Sequence, residues 1–254
     1  ILTCSPGNEL YSLFGHTGIR VVDKANNMDI VFNYGTFDFA TQGFYFKFAR
    51  GPLPYQLSCS EFRRFLSSYI HDERSVYSQI LNLDSIQKQY LMDLLVENHE
   101  PANREYLYNF LYDNCSTRVR DIIEKSTGNQ ITWIAQPSTK SFWNLLDEYL
   151  GRSPWIQWGI HTILGSPATS TATIHEQMFL PDYLMYRLDS AAYNGTPLVQ
   201  PIETVYEAPE QDLSTPWYFS PFFVFAICTL ALILFLQKVK SRRLLKAIAI
   251  PFFI

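Results

Sequence analysis

The sequence is poor in charged residues. Asp, Glu, Lys and Arg make up 17% of its 254 residues, against about a quarter in an average soluble protein. Glycine is also scarce, at 11 residues, which excludes a collagen-like or linker-dominated chain. Aromatic residues reach 16% and apolar residues 47%, so the chain can bury a sizeable core and is not intrinsically disordered.

Acidic residues are missing from the end of the chain. All 24 lie at or before Asp212, and with 15 of the 20 basic residues they give residues 1–212 a net charge of 15 − 24 = −9. The five remaining basic residues lie between residues 238 and 246. An acidic body repels a phosphate backbone, which argues against nucleic acid as a partner.

The segment between these two regions lacks charge altogether. Residues 213–237 contain no charged side chain, and a helix of about 20 apolar residues can cross a membrane. We therefore predict a transmembrane helix at residues 217–237, with a buried core helix as the alternative. By the positive-inside rule, the basic residues after it face the cytoplasm, which places residues 1–212 outside the cytoplasm.

The two ends of the chain suggest a fragment of a longer membrane protein. Residues 238–254 are interpreted as a basic cytoplasmic segment that leads into the start of a truncated second hydrophobic segment. The first residue is Ile and not Met, which is typical of a chain that has lost an export signal.

The extracytoplasmic region mixes strand and helix patterns. Alternating segments predict strands at residues 17–22 and 29–35. Helical periodicity follows, with helices predicted at residues 61–71, from 84, and at 103–111, 115–127, 141–150 and 174–188. This pattern predicts an α+β domain over residues 1–190, followed by a polar, proline-containing tether over residues 191–216.

Most enzyme signatures are absent. There is no Gly-x-Ser-x-Gly motif, no His-Glu-x-x-His helix, no Cys-x-x-Cys pair and no phosphate-binding glycine loop. Four histidines have no ligand spacing, so we predict neither a metal nor a cofactor: they are His71, His99, His161 and His175.

Two short segments remain as candidates for catalysis. Cys115 follows Asp113 and Asn114, both good helix caps, and begins a predicted helix. Peptide N–H groups at a helix N-terminus lower the pKa of a thiol and can hold an oxyanion, so we predict Cys115 as a nucleophile with a low pKa. His16 starts a strand and is predicted as its base, although a buried structural cysteine and an ordinary polar histidine remain the alternatives.

The sequence resembles the extracytoplasmic domain of Lnb-type bacterial lipoprotein N-acyltransferases over roughly residues 1–190. The segments that carry the resemblance are Gly15-His16-Thr-Gly-Ile-Arg20, Phe32-Asn-Tyr-Gly-Thr-Phe37 and Asp113-Asn114-Cys115-Ser-Thr-Arg118. That domain is similar to permuted papain-like folds of the NlpC and lecithin–retinol acyltransferase kind, in which His precedes Cys. Family members carry several membrane helices, whereas only one and a fraction are predicted here.

The resemblance implies a Cys–His acyl transfer. A phospholipid would donate an acyl chain to Cys115, and the resulting thioester would pass the chain to the N-terminal amine of a diacylated lipoprotein. Two alternatives stay open. One is a hydrolase with the same dyad, either a cell-wall peptidase or amidase or a lipase, and the other is a non-catalytic binding module on the same fold.

A third polar group should orient the His16 imidazole, and Asn33 is the candidate. A turn centred on residues 26 and 27 would place Asn33 on the same sheet face as His16. It would pair Val22 with Val31, Arg20 with Asn33 and Gly18 with Gly35. A slip of one residue would put Tyr34 there instead, and an ordinary turn or edge amide is the alternative role for Asn33.

Three further groups are weaker candidates. An aromatic stretch would line an acyl-chain groove or simply pack in the core, two arginines would meet a lipid phosphate or face solvent, and two cysteines would form a disulfide in an oxidising compartment. These groups are Phe37, Phe39, Phe44, Phe46 and Phe48, then Arg118 and Arg120, and finally Cys4 and Cys59.

Overall fold

The computed structural model describes residues 1–37, 54–134, 138–151, 153–209 and 216–238. The chain divides into two compact units. One unit comprises residues 1–149 and 165–211, and the other comprises residues 150–164 and 212–254. The first unit contains helices and antiparallel sheets, so the predicted α+β class is confirmed.

Ten strands form two antiparallel sheets in the described part of the first unit. They are β1 Leu2–Cys4, β2 His16–Asp23, β3 Met28–Thr36, β4 Pro54–Glu61, β5 Val76–Ser78, β6 Glu105–Leu107, β7 Ile131–Thr132, β8 Ala192–Tyr193, β9 Thr196–Pro197 and β10 Glu203–Tyr206. The main sheet has seven strands in the order β10-β5-β1-β2-β3-β4-β6, and β7, β8 and β9 form the smaller sheet.

Eight α-helices are described. They are α1 Phe62–His71, α2 Ser85–His99, α3 Cys115–Ser126, α4 Phe142–Leu150, α5 Pro154–Leu164, α6 Ile174–Gln177, α7 Pro181–Ser190 and α8 Pro221–Lys238. Short 3₁₀ turns lie at Ser166–Thr169 and Trp217–Phe219.

Successive residues of the central strand β3 enter two different cores, as the period of two requires. Phe32 packs in one core with Val119 and Ile123 of α3. Val31 packs in the other core with Phe65 of α1. The sheet is therefore covered on both faces, and α3 is held against it.

The β2–β3 hairpin differs in register from the prediction by two residues. The structure pairs Arg20 with Val31 and Val22 with Asp29. The turn is centred between residues 25 and 26, one residue nearer to Asp23 than predicted. The Asp23 carboxylate stabilises this turn by accepting hydrogen bonds from the backbone N–H groups of Ala25 and Asn26, at 2.9 and 3.3 Å. A shift of two residues returns every side chain to its predicted face, so Asn33 keeps its place relative to His16.

Two predicted helices were wrong. The segment 103–111 contains strand β6, because its backbone pairs with β4 and that tertiary pairing outweighs its helical pattern. The segment 174–188 is divided into α6 and α7 at Pro181, which stands at the first position of α7, where no backbone N–H is needed. Helix α5 was not predicted.

The sequence left a Cys4–Cys59 disulfide open, and the structure shows both cysteines as free thiols. Cys4 lies in β1 and Cys59 in β4, and two strands separate them in the sheet. Three strand spacings amount to about 14 Å, well beyond the reach of a disulfide.

In the second unit, two helices meet through aromatic rings. Trp155 and Trp158 of α5 contact Phe225 of α8, with ring centroids 5.7 and 5.5 Å apart. None of the helices among the described residues has both the length and the apolar character needed to span a membrane. The transmembrane helix predicted at 217–237 is thus not found among the described residues.

Candidate active site

Cys115 is the first residue of α3, and Asn114 holds this helix end in place. The Asn114 side-chain oxygen accepts the N–H groups of Ser116 and Thr117, at 2.9 and 3.0 Å. The Thr117 hydroxyl in turn accepts the Asn114 N–H at 2.8 Å, which completes a capping box. The Asn114 side-chain nitrogen donates to the carbonyls of Phe110 and Phe179, both at 2.8 Å. Cys115, the candidate nucleophile, therefore lies at a capped helix N-terminus that is also hydrogen-bonded to neighbouring segments.

The Cys115 thiol is buried among peptide N–H groups. Burial raises the pKa of Cys115, and the N–H groups of Thr17, Ser116 and Cys115 itself lower it without fully offsetting the effect of burial. The predicted low pKa is therefore wrong. The helix N-terminus contributes as expected, but the loss of solvent has the larger effect.

His16 is the first residue of β2, and its Nε2 lies 3.3 Å from the side-chain oxygen of Asn33. The Asn33 side-chain nitrogen is directed at the Val31 carbonyl, at 3.5 Å, which turns the amide oxygen toward the imidazole. An amide oxygen can only accept, so Nε2 carries the proton and Nδ1 is left as the basic nitrogen.

The imidazole is held neutral. Burial and the nearby Arg74 cation lower the pKa of His16 to about 4, although the Asn33 hydrogen bond acts in the opposite direction. At neutral pH the two groups therefore rest as a thiol and a neutral imidazole. This is a different starting state from a thiolate–imidazolium pair.

Gly18 makes room for Asn33. A Cβ at Gly18 would lie 3.0 Å from the Asn33 side-chain oxygen, closer than nearly all real contacts of this kind. Tyr34, the alternative to Asn33, lies on the other face of the strand, where its hydroxyl accepts a hydrogen bond from Asn98 at 2.7 Å. Of the two, the structure brings Asn33 to His16.

The starts of β2 and α3 touch directly. The Thr17 and Ser116 hydroxyls lie 2.9 Å apart and both side chains are buried. Thr17 follows His16 and Ser116 follows Cys115, so the two candidates belong to segments that are in contact. Gly35, with φ +82°, packs closely against Cys115, since a Cβ at Gly35 would lie 3.4 Å from the Cys115 Cβ.

Three tyrosines near Cys115 form an aromatic wall that the sequence analysis missed. Tyr55 and Tyr108 stack with ring centroids 4.1 Å apart, and Tyr106 belongs to the same cluster. Burial, followed by the nearby Cys115, raises the pKa of both Tyr106 and Tyr108. Phe37 is the one residue of the aromatic stretch considered for an acyl-chain groove that lies among the described residues, and its ring centroid is 5.2 Å from that of Tyr55. The other four phenylalanines of that stretch lie outside the described residues.

Cys4 is the thiol directly opposite His16 in the β1–β2 ladder. It is fully buried, and burial raises the pKa of Cys4 to about 12. Cys4 is 0% exposed against 9% for Cys115, so Cys115 is the better candidate nucleophile of the two.

The two arginines for which a lipid phosphate or solvent was considered have protein partners. Arg118 donates two hydrogen bonds to the Asp113 carboxylate, at 2.6 and 2.8 Å, and its guanidinium lies 3.5 Å from the Tyr106 ring centroid. Arg120 bonds to Asp121 at 2.8 Å and to the His175 carbonyl at 2.8 Å. Both therefore serve to fix α3 and its surroundings.

One group of side chains with metal-ligating atoms comes together in the described part of the chain. Atoms of Asp121, Glu124 and His175 lie within 4.8 Å of one another. Glu124 already bonds to His175 Nε2 at 3.2 Å and accepts the Trp133 indole N–H at 2.9 Å. These contacts account for the cluster as a clamp between α3 and α6.

Comparison with known proteins gives one match. The family described as the Lnb N-terminal periplasmic domain matches residues 1–147, which include His16, Asn33 and Cys115. Neither a curated protein nor a solved structure matches the chain. The periplasmic description agrees with the predicted extracytoplasmic location of this domain. Because the match covers more than half of the 254 residues, the chain belongs to the Lnb family.

Proposed function

We propose that the protein is a cysteine-dependent acyltransferase that modifies lipoproteins at the periplasmic face of the inner membrane. The observation that carries this proposal is the contact between the starts of β2 and α3. It brings the segment with the His16–Asn33 pair against the capped helix end that presents Cys115. The order of the two segments fits a permuted papain-like arrangement, with the histidine strand before the cysteine helix.

In the first half-reaction, Cys115 sulfur attacks the carbonyl carbon of a glycerolipid acyl ester. The thiol proton passes to His16 Nδ1 as the S–C bond forms, and the N–H groups around the sulfur stabilise the oxyanion. The C–O bond then breaks, and His16 returns the proton to the glycerol oxygen. The products are an acyl-Cys115 thioester and a lysolipid.

In the second half-reaction, the neutral N-terminal amine of a diacylated lipoprotein attacks the thioester. The N–C bond forms, the C–S bond breaks, and the amine proton passes through His16 to the departing sulfur. The products are an N-acyl lipoprotein and the free thiol.

The neutral resting pair supports general-base catalysis. With the His16 pKa near 4, the imidazole is free to accept a proton at every pH at which an amine acceptor is also available. The pKa of Cys115 is raised, so the proton leaves the sulfur only as the substrate carbonyl arrives.

The aromatic wall favours transfer over hydrolysis. Tyr55, Tyr106 and Tyr108 present apolar ring surface near Cys115, which suits an acyl chain and keeps water away from a thioester. A hydrolase with the same dyad would need an open path for water to this carbonyl.

Trapping the thioester tests the proposal. Full-chain protein is incubated with a phospholipid labelled in its acyl chains, without an acceptor. We expect label on Cys115 that neutral hydroxylamine releases, none in Cys115→Ala, and full labelling in Cys59→Ala, the matched control at another free thiol.

Addition of a diacylglyceryl-cysteine peptide should move the label to its amine. A peptide labelled in its own glyceryl esters identifies the donor, because label that reaches Cys115 from the peptide makes the lipoprotein itself the ester source. Free fatty acid without a trapped thioester would indicate a hydrolase. If Cys115→Ala matches the parent in every assay, the chain is a binding module.

A further inference from the structure

We infer that a cleft beside the active site binds a primary ammonium group, with the Asp182 carboxylate as its counterion and tyrosine rings as its walls. This inference rests on the proposed function and names the part of the substrate that the cleft recognises. The cleft has a volume of about 670 Å³ and lies between α4 and α7. Its lining includes Glu148, Tyr149, Asp182, Tyr183, Tyr186 and Arg187.

The two carboxylates of the cleft differ in their partners. Glu148 accepts hydrogen bonds from Lys140 Nζ at 2.5 Å and from the Tyr183 hydroxyl at 2.9 Å. Asp182 is half-buried, and within the described ranges its one recorded hydrogen bond comes from the Tyr149 hydroxyl, at 3.1 Å. Burial raises the pKa of Asp182 despite this bond. A cation placed in the cleft would supply the charge partner that Asp182 lacks.

The rings of the cleft suit a small cation. Lys140 Nζ lies 5.6 Å from the ring centroid of Tyr183, so this surface already faces one ammonium group. The Tyr186 ring is exposed at the cleft, where its face can contact a second ammonium group. An anionic phosphate would instead meet the carboxylates of Asp182 and Glu148. Arg187, the cation in the lining, is directed at the Gln177 side-chain oxygen at 3.4 Å.

The cleft lies next to the catalytic segment. The ring of Tyr149 contacts that of Phe14, two residues before His16, with centroids 5.8 Å apart. Pro181, which precedes Asp182, lies 3.4 Å from the position of a Cβ on Gly15. Asp182 therefore follows a residue that packs against the segment leading into His16.

Two substrate groups fit this position. The ethanolamine headgroup of a phospholipid carries a primary ammonium a short chain of atoms from its acyl esters. The N-terminal amine of a diacylated lipoprotein is also protonated at neutral pH and lies close to esters. Both share the chemistry that Asp182 recognises, and the experiment separates them.

The test measures binding to full-chain Cys115→Ala, in which no thioester forms. Four probes are compared: a diacylglyceryl-cysteine peptide with a free amine, the same peptide N-acetylated, vesicles rich in phosphatidylethanolamine, and vesicles rich in phosphatidylglycerol. We expect the added Asp182→Asn substitution to weaken binding of one free-amine probe by about tenfold to a hundredfold, as for a hydrogen bond to a charged group. Binding of the probes without an amine should not change.

Loss confined to the free-amine peptide identifies the lipoprotein amine, and loss confined to phosphatidylethanolamine identifies the headgroup. Asp189→Asn, an exposed carboxylate on the same helix, is the matched control. Tyr186→Leu, which changes an exposed ring, should weaken the same probe by roughly twofold to fivefold. Unchanged binding of all probes by folded Asp182→Asn overturns the inference. Because no acyl transfer is measured, amine-dependent binding can hold even if the parent never forms a thioester.

Discussion

The two ends of α3 use polar groups in opposite ways. At its start, Cys115 lies among peptide N–H groups, and burial raises the pKa of Cys115, which keeps the thiol neutral. Toward its end, Arg120 pairs with Asp121, and Glu124 pairs with His175. One end holds a neutral side chain with donors around it, and the other holds charges that already satisfy one another.

This difference separates reactivity from stability within one helix. Polar side chains that are paired in the folded state have little capacity left for a substrate, and an exposed pair adds at most about 1 kcal/mol to stability. A buried neutral thiol with N–H groups directed at it is poorly stabilised as an anion at rest, but those donors match an oxyanion when one forms. The comparison predicts that substitutions at the two ends affect different measurements.

The largest effect is expected from Cys115→Ala compared with Glu124→Gln. Removing the sulfur abolishes the thioester, so acyl transfer should fall by at least about 1,000-fold. Glu124→Gln breaks the pair with His175 and should lower the melting temperature while leaving the rate unchanged. Rates and melting curves of both purified variants provide the test. If folded Glu124→Gln protein transferred acyl chains more slowly than the parent, the proposed difference between the two ends of α3 would be wrong.

A second contrast uses two histidines. His16→Gln should slow acyl transfer by about 100-fold to 10,000-fold, the usual contribution of a general base, whereas His175→Gln should not slow it. Because the pKa of His16 is lowered to about 4, the rate of thioester formation without an acceptor should stay level as the pH falls from neutral and decline only below about pH 5.

The protonation state of Cys115 can be tested without a substrate. Because the pKa of Cys115 is raised, iodoacetamide should label Cys115 slowly at neutral pH. Labelling should become faster only at a pH above the pKa of an ordinary thiol. Rapid labelling at pH 7 that depends on His16 would instead indicate a preformed ion pair.

A smaller loss is expected at the group that orients His16. Asn33→Ala removes the acceptor 3.3 Å from Nε2 and should reduce the rate by about tenfold to a hundredfold, as is typical of residues that hold a reacting side chain. Gly18→Ala should reduce it in the same direction, because the new methyl group displaces the Asn33 amide. Circular dichroism would verify folding, and full activity of both variants would remove Asn33 from the mechanism.

The smallest effect concerns stability and pH. The pKa of His16 falls from 6.5 in the unfolded chain to about 4 in the folded one, so the unfolded state binds the proton more readily. Stability should therefore be full above about pH 6.5 and decrease as the pH falls toward 4. Melting temperatures across this window should fall less in His16→Gln than in the parent. If the melting temperatures of the two proteins changed equally with pH, the folded protein would accommodate the charged imidazole of His16.

Sequence reasoning succeeded where the signal was local. Cap residues before Cys115 predicted a helix start, and that start is present. The face of Asn33 was predicted correctly from the wrong register, because only the parity of the shift decides the face of a strand. Local pattern was therefore sufficient for the positions of the candidate catalytic residues, although not for their protonation states.

Sequence reasoning failed where distant segments meet. Tyr55 and Tyr108 are brought together by the pairing of β4 with β6, which no short window of sequence reveals. Asp182 falls in the middle of the helix predicted at residues 174–188, and only the packing of α4 beside α7 gives it a half-buried setting. The pKa of Cys115 was mispredicted for the same reason, since burial is a property of the assembled fold.

The Asn114 side chain has a mechanical consequence. Its oxygen holds the first N–H groups of α3, while its nitrogen holds the Phe179 carbonyl, two residues before α7 begins. An amide group is planar and rigid, so its two ends move as one body. Any displacement of the α7 start is therefore passed to the N–H groups around Cys115. Asn114 thus couples the position of the helix that carries Asp182 to the position of the peptide N–H groups beside the Cys115 sulfur.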